Sequence, residues 1–261
     1  MIATLARLLA RIASAISHAA RAAAVRLEWV SIRRNVQATP ELRELSDIFP
    51  RTPESAWTVA ADDAVRLFRL VLRLRPEHIL ELGTGIGFSA AVMAAALERT
   101  GRGRITSLEQ LPKCIDIART LIPERLRRRV EIIHAPPEVF RIDRLSRWIY
   151  FCGYRWAPGP EDRFELVVID GPAGWTESGE LISLDSGDVF RLLPYISPGG
   201  MVYVDGRRAT VKRIRRFLQR YLRLIEGTGE YTIFERTREP AAGPNGVTYS
   251  DAKLSGRPIA V

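Results

Sequence analysis

Short hydrophobic runs recur through the middle of the chain, at residues 79–82, 104–108, 164–169 and 200–204. The runs do not alternate strictly with polar residues, which is typical of parallel strands covered on both faces of a sheet. Apolar residues at helical spacing lie between the runs and predict helices at residues 62–75, 90–98 and 210–224. The alternation of strands and helices predicts an α/β fold with a doubly wound sheet.

The last two predicted strands have a different connection. Hydrophobic residues at 222–225 and 231–234 bracket the turn sequence Gly227-Thr228-Gly229. Two strands joined by so short a glycine turn are antiparallel. We therefore expect an antiparallel pair at one side of the otherwise parallel sheet.

A glycine-rich loop follows the first predicted strand. Gly83, Gly85 and Gly87 are spaced as GxGxG, not as the GxGxxG that binds a dinucleotide pyrophosphate, and Ser89 stands where it would cap the next helix. Glycines at such a turn let the backbone approach a ligand closely. The loop predicts a nucleotide-cofactor site, and its spacing favours S-adenosylmethionine over NAD.

Four acidic residues stand at or near the ends of four predicted strands, namely Glu81, Glu109, Asp170 and Asp205. Ligands of open α/β sheets bind beyond the carboxyl ends of the strands, so we expect these acids near one crevice. Glu109 ends the second strand, where it would accept hydrogen bonds from both ribose hydroxyls of a nucleotide. Each acid alone is equally explained as an ordinary strand-end carboxylate, but the set of four favours a binding site.

These residues resemble a known family. The chain is similar to class I S-adenosylmethionine-dependent methyltransferases, in particular to an O-methyltransferase-like bacterial branch with catechol-type relatives, whose first loop reads Gly-Thr-Gly-x-Gly-Tyr/Phe-Ser, as residues 83–89 do. Residues 133–136 and 168–172 carry the same resemblance, which covers residues 55–236. It implies a Rossmann-like, seven-stranded methyltransferase sheet with S-adenosylmethionine as the cofactor.

The resemblance also implies roles for individual residues around the glycine loop. Methionine-moiety contacts are implied at Glu81, Gly83 and Asp170, and a ribose contact at Glu109. Adenine contacts are implied at Gln110, Ala135 and Pro136. With Gly85, Gly87 and Ser89 of the loop, these residues form the predicted cofactor site.

The catechol-type relatives hold a metal between a carboxylate after the fourth strand and an Asp-Asn pair after the fifth, with a lysine nearby. Asp170 and Asp205 match the two carboxylates, but Gly206 replaces the asparagine and Ala173 stands at the lysine position. We therefore expect no metal, with Asp170 and Asp205 as the ligands of any divalent cation that did bind.

Methyl transfer is an in-line displacement that depends chiefly on alignment of the acceptor, and a base helps only where the acceptor begins protonated. Asp170 is the predicted catalytic residue. His134, near the end of the third strand, is a candidate base, and a structural role is the alternative for this histidine.

The connection between the third and fourth predicted strands is rich in aromatic residues, with Trp148, Tyr150, Phe151, Tyr154 and Trp156. Long connections in compact domains often cover a ligand, so we expect an acceptor-binding wall here. The predicted substrate residues are Trp156, Trp175 and Asp205. The alternative is a small core of aromatic side chains beneath the insert.

Composition sets outer limits on function. The 261 residues carry a net charge of +9 and include two cysteines, Cys114 and Cys152, which are too few for a disulfide scaffold. A reducing cytoplasm fits this content. A basic surface attracts anionic partners such as nucleic acid or lipid headgroups.

The first 38 residues differ from the rest. Apolar residues from Leu5 to Leu27 fall on one side of a helical projection, and arginines including Arg7 and Arg11 interrupt any spanning or signal-peptide run. This basic amphipathic helix would pack on protein, lie on a membrane surface or act as a mitochondrial-type presequence. The expected organisation is this extension at 1–38, a connector at 39–54, a methyltransferase domain at 55–237 and a disordered tail at 238–261.

The leading hypothesis is a cytoplasmic enzyme that methylates a hydroxyl of a small molecule, such as a sugar or a secondary metabolite, with membrane association through residues 1–38 as an alternative localisation. The charge of +9 motivates a nucleic-acid methyltransferase as the alternative, although no Asn-Pro-Pro-Tyr motif follows the fourth strand. A third hypothesis is a non-catalytic, cofactor-binding partner protein.

Overall fold

The structure is a computed structural model, and it describes residues 39–49, 61–142, 150–172, 184–237 and 257–258. The predicted amphipathic helix in residues 1–38 lies outside the described residues. So do Trp148, Ala173 and Trp175.

Ten strands are described, of which seven form the main sheet. In chain order they are β1 (His78–Leu82), β2 (Arg104–Glu109), β3 (Val130–His134), β4 (Pro137–Arg141), β5 (Tyr150–Tyr154), β6 (Phe164–Ile169), β7 (Ile196–Asp205), β8 (Leu222–Gly227), β9 (Tyr231–Arg236) and β10 (Arg257–Pro258).

The helices are α1 (Pro40–Ile48), α2 (Ala61–Leu74), α3 (Phe88–Thr100), α4 (Pro112–Leu121), α5 (Glu124–Arg127), α6 (Asp188–Leu192) and α7 (Arg208–Phe217), with a 3₁₀ turn at Leu193–Tyr195.

The main sheet has the strand order β3-β2-β1-β6-β7-β9-β8. Within this order, the strands β3, β2, β1, β6 and β7 are parallel to one another. Strand β9 runs antiparallel to both β7 and β8. The chain order reverses direction between β1 and β6, which is the switch point where ligands of such sheets bind. The predicted doubly wound, seven-stranded sheet and its antiparallel pair are confirmed.

Two hydrophobic clusters cover the two faces of this sheet. Side chains alternate along β1, so Ile79 packs with α2 and α3, whereas Leu80 and Leu82 pack on the other face with Phe140 and Phe190. Glu81 therefore shares the face of Ile79, towards α3. The alternation places one acidic side chain inside an otherwise apolar layer.

Helix α3 begins earlier than the sequence predicts. Its N-cap is Gly87, in the left-handed region at φ +89°, and Ser89 lies inside the first turn. The prediction that Ser89 caps the helix was wrong, because Gly87 turns the chain into the helix two residues sooner. A buried run from Ala90 to Leu97 then packs against the sheet.

Several segments outside the predicted strands and helices are also ordered against the domain. Helix α1 falls within the predicted connector, and its Leu42 and Leu45 are buried in the first cluster. Strands β4 and β5 form a hairpin, and β10, within the tail predicted to be disordered, pairs with β4. The predicted helix at 210–224 ends at Phe217, because the chain turns into β8. The hairpin supplies cover for the second face of the sheet.

Among the described residues, no helix combines the length and apolar character needed to cross a membrane.

Candidate functional site

The loops after β1, β2 and β6 are joined to one another at the carboxyl edge of the sheet. The Gly83 N–H donates to the carbonyl of Leu108 at 3.0 Å, and the Asp170 N–H donates to the carbonyl of Leu82 at 2.9 Å. These bonds extend the parallel pairing by one residue beyond the strands. They hold the glycine loop and Asp170 side by side.

The backbones of Gly83 and Gly171 pass so closely that neither position has room for a side chain. A β-carbon on Gly83, at φ +104°, would lie 2.8 Å from the Gly171 nitrogen, and one on Gly171 would lie 2.8 Å from the Gly83 nitrogen. Gly87 is constrained differently, since a β-carbon there would meet the side chains of Ala118 and Ile122. Gly85 has φ +53°. The loop geometry is therefore imposed partly by its neighbours.

Glu81 is a fully buried carboxyl group at the centre of this edge. Its Oε2 accepts a hydrogen bond from the Ser107 hydroxyl at 2.5 Å, and its Oε1 has no hydrogen-bond partner among the described residues. Burial raises the pKa of Glu81 from 4.5 to about 7, against the lowering influence of the Ser107 and Ser89 hydroxyls, and Glu109 raises it further. A buried oxygen without a donor costs free energy, so this group is suited to a ligand that supplies one.

Glu109 binds the glycine loop itself. Its Oε2 accepts the Gly85 N–H at 2.8 Å, and its Oε1 accepts the Gln110 and Leu111 N–H groups, each at 2.9 Å. Burial raises the pKa of Glu109, and these backbone donors act in the opposite direction. The side chain thus fixes the loop conformation, a role that the sequence reasoning did not include.

The predicted adenine contacts lie beside Glu109 at the end of the sheet. Gln110 and Ala135 are buried, Pro136 is partly buried, and the Ala135 N–H donates to the Glu109 carbonyl at 2.8 Å. His134 is exposed on β3, the edge strand, and its Nε2 shares a hydrogen bond with the Gln110 carbonyl at 3.2 Å.

The structure brings Asp170 and Asp205 together at the ends of β6 and β7. Burial raises the pKa of Asp170 well above its usual range, and the charge of Asp205 raises it further. The pKa of Asp205 is raised from 3.8 to about 6 by burial and by Asp63. The charge of Glu81 also raises the pKa of Asp170, and the charge of Glu109 raises the pKa of Glu81. The four acids predicted to share a crevice therefore act on one another electrostatically.

A guanidinium group that the sequence reasoning missed lies beside these two aspartates. Arg207 donates through Nη2 to the carbonyl of Asp170, and its charge lowers the pKa values of both Asp170 and Asp205. Its Nε is buried without a hydrogen-bond partner among the described residues. The available signal was its position directly after the Asp205-Gly206 pair.

Two more groups approach the acids, Asp63 from α2 and Tyr154 from β5. Asp63 on α2 forms an ion pair with Arg66 at 2.7 Å and accepts the Tyr203 hydroxyl at 2.5 Å. Tyr154 is buried, and a β-carbon on Gly171 would overlap its hydroxyl. Burial raises the pKa of Tyr154, and Glu109 raises it further. No local pattern singles out Asp63, whereas Tyr154 belongs to the aromatic connection that the sequence distinguishes.

The aromatic insert divides into packed and cavity-lining residues. Phe151 and Tyr154 are buried in the second cluster, as the packing alternative predicts. Trp156 is partly buried and lines a cavity of about 560 Å³, together with Tyr154, Arg191 and Tyr195. A substrate role for Trp156 stays a prediction.

Within the described ranges, no group of three or more His, Cys, Asp or Glu side chains has an arrangement that would hold a metal ion. The two aspartates are accompanied by Arg207. The negative charge of Asp170 and Asp205 is therefore partly balanced by a guanidinium group of the protein itself.

Comparison with known proteins gives one sequence family and a set of similar folds. The sequence model described as a methyltransferase domain matches residues 80–229. No curated protein sequence matches the chain.

The solved structures that are similar in fold include two methyltransferases. One is the SAH-bound methyltransferase PaMTH1 from Podospora anserina, with 16% identity, a TM-score of 0.51, and coverage of 75% of this chain and 87% of that one. The other is a putative caffeoyl-CoA O-methyltransferase from Staphylococcus aureus, with 14% identity, a TM-score of 0.52, and coverage of 81% and 99%. At these identities the likeness concerns the fold.

Proposed function

The chain belongs to the methyltransferase-domain family, and on that basis we propose that it binds S-adenosylmethionine and methylates a hydroxyl of a small molecule. The proposal that the chain binds this cofactor rests on Oε1 of Glu81, a buried atom beside the glycine loop. This atom has no hydrogen-bond donor among the described residues. A methionine ammonium group would supply that donor and a compensating charge. The SAH bound to PaMTH1 supports the same ligand class.

The residues around the loop fit the other parts of such a ligand. Gly83 and Gly171 present bare backbone at the strand ends. Glu109 has about four lone-pair sites for hydrogen bonds, and ribose hydroxyls would share or exchange them with the backbone donors present now. We retain Gln110, Ala135 and Pro136 as the adenine contacts.

The bound cofactor would supply an electrophilic methyl group, and the chain's own contribution is alignment and management of a proton. Asp205, with a pKa of about 6, has the protonation equilibrium expected of a base that works near neutral pH. Asp170, whose pKa is also raised, would orient the acceptor hydroxyl beside it.

His134 is poorly positioned to share that task with Asp170. Strands β2 and β1 lie between β3 and β6. At about 4.8 Å per strand, the ends of β3 and β6 are roughly 14 Å apart. One acceptor hydroxyl would not contact both residues, so we place the reaction at Asp170 and Asp205 and assign His134 a structural role.

Calorimetric titration of the full chain with S-adenosylmethionine tests the cofactor assignment. We expect saturable binding that Glu109→Gln weakens by about 1.5–3 kcal/mol, because the variant loses charge-assisted hydrogen bonds. Glu131→Gln is the matched control, since Glu131 is exposed on neighbouring β3. No binding by the unmodified protein would overturn the proposed function.

The acceptor class is tested separately by methyl transfer from labelled S-adenosylmethionine. We expect label in a small-molecule fraction of a cell extract, as an ether stable to mild base. Label found in RNA, with a strong decline as salt increases, would favour nucleic-acid methylation instead.

A further inference from the structure

A second concave site lies beside the acids, at the carboxyl end of β7. The cavity has a volume of about 240 Å³. One wall is the start of α7, with Gly206, Arg207 and Arg208, and the opposite wall is residues 228–232 between β8 and β9. Val204 and Gly206, the chain neighbours of Asp205, line the cavity, so it lies next to the end of β7 where the acceptor site is proposed.

The lining of this cavity is strongly cationic. Arg207, Arg208, Lys212 and Arg215 contribute to it, with Glu230 as the one acid among the described lining residues. Positions 208, 212 and 215 are one helical turn apart and share a face of α7, so their charges converge on the same opening. Each is exposed, and Arg208 donates through Nε to the Gly229 carbonyl at 3.3 Å.

The other arginines of α7 are arranged differently. Arg213 forms an ion pair with Asp185 at 2.9 Å, and Arg216 lies 5.2 Å from the ring centroid of Phe217. Within the described part of the chain, no ion pair neutralises Arg208, Lys212 or Arg215. Four cations of α7 have no ion pair among the described residues, and three of them, Arg208, Lys212 and Arg215, line the cavity.

Arg207 connects this cavity with the acids. It lines the cavity, and its charge lowers the pKa values of Asp170 and Asp205. Its buried Nε has no hydrogen-bond partner among the described residues. A ligand in the cavity would thus lie next to a guanidinium that also borders the proposed reaction site.

We propose that this cavity binds a phosphate group carried by the methyl acceptor. The inference rests on the proposed function, which it deepens by naming the acceptor as a phosphorylated small molecule. Guanidinium groups recognise phosphate oxygens through paired, charge-assisted hydrogen bonds, and a dianion is matched by several convergent cations. The backbone N–H groups in the first turn of α7 add partial positive charge.

The test is a titration of the full chain with inorganic phosphate at constant ionic strength, followed by NMR or calorimetry. We expect saturable binding that the double variant Arg208→Gln/Lys212→Gln weakens by about tenfold or more, since two charged contacts are lost. Arg216→Gln is the matched control and should leave the affinity within about twofold, because Arg216 is not among the residues that line the cavity. Equal affinity of all three proteins, or an equal response to chloride, would overturn the proposal.

Competition distinguishes the possible sources of phosphate. A sugar phosphate should displace inorganic phosphate, whereas vesicles of phosphatidylglycerol should not. Displacement by the vesicles alone would place the chemistry on a lipid headgroup and overturn the acceptor proposal. S-adenosylmethionine titrated into the same proteins without phosphate keeps the two hypotheses apart. Its failure to bind the unmodified chain counts against the proposed function, whatever the phosphate result.

Discussion

The two pairs of acids at the ligand edge of the sheet are held by different partners. Glu81 and Glu109, after β1 and β2, are met by hydroxyl groups and backbone N–H groups, which carry no net charge. Asp170 and Asp205, after β6 and β7, are met by the guanidinium of Arg207. The first pair therefore has no cationic side chain among these partners and is suited to a cationic ligand, whereas the second lies where an anionic acceptor would be tolerated.

The largest effect is expected at Gly83 and Gly171, where the loops after β1 and β6 are in contact. Gly83→Ala should destabilise the fold by about 3–5 kcal/mol, because a positive φ is combined with a β-carbon 2.8 Å from the Gly171 nitrogen. Gly101→Ala is the control, with φ +77° and nothing within 4 Å of the added carbon, and should lose only about 1–2 kcal/mol. Chemical denaturation measures both, and equal losses would show that the close approach is unimportant.

The next largest effect is expected at Glu81, whose hydrogen-bond partners carry no net charge. Because burial raises its pKa from 4.5 to about 7, the folded state resists ionisation of this group, and stability is lost as the pH rises through that interval. Glu81→Gln has no proton to lose. Its free energy of unfolding should therefore gain on the unmodified protein by about 2–3 kcal/mol between pH 5 and pH 8, without cofactor.

The control for this pH series is Glu131→Gln, which replaces an exposed carboxylate on β3. Its stability should follow that of the unmodified chain throughout the range. Parallel curves for Glu81→Gln and the unmodified chain would mean that Glu81 titrates in the folded state as it does in the unfolded one.

Removing the cation on the other side should make the two pairs of acids alike. With Arg207→Gln, we expect the pKa of Asp205 to rise above about 6 and that of Asp170 to rise as well, since the guanidinium favours both ionised forms. Carboxyl carbon shifts in an NMR pH titration report the change. The Arg216→Gln protein should titrate like the unmodified one. An unchanged pKa of Asp205 in Arg207→Gln would show that Arg207 does not act on this carboxyl group.

The smallest effect is expected from deletion of residues 1–38, since none of the predicted cofactor residues lies there. The truncated protein should fold, within about 0.5 kcal/mol of the full chain, and bind S-adenosylmethionine equally well. If the segment is a membrane-surface helix, only the full chain will co-sediment with anionic vesicles, and salt will weaken that association. Loss of folding would instead make it part of the core or of a subunit interface.

Much of the fold followed from the sequence because its signals are local. The hydrophobic run before Gly83 and the glycines after it specify a strand and a turn within ten residues, and β2 has the predicted bounds Arg104–Glu109. The family resemblance was confirmed by the match over residues 80–229. The start of α3 was predicted less well, because the sequence favours Ser89 as the cap and only the backbone conformation places the N-cap at Gly87.

The sequence by itself determined which strand ends carry acids, since a period and a motif are properties of neighbouring residues. The tertiary structure alone decided what those acids contact. Glu109 turns back onto the Gly85 N–H, and Arg207 reaches the carbonyl of Asp170, 37 residues away in the chain. Such contacts depend on which loops the sheet order brings together, and burial then sets the pKa of each group. Periodicity specifies the face on which a residue lies, but not the neighbour it meets there.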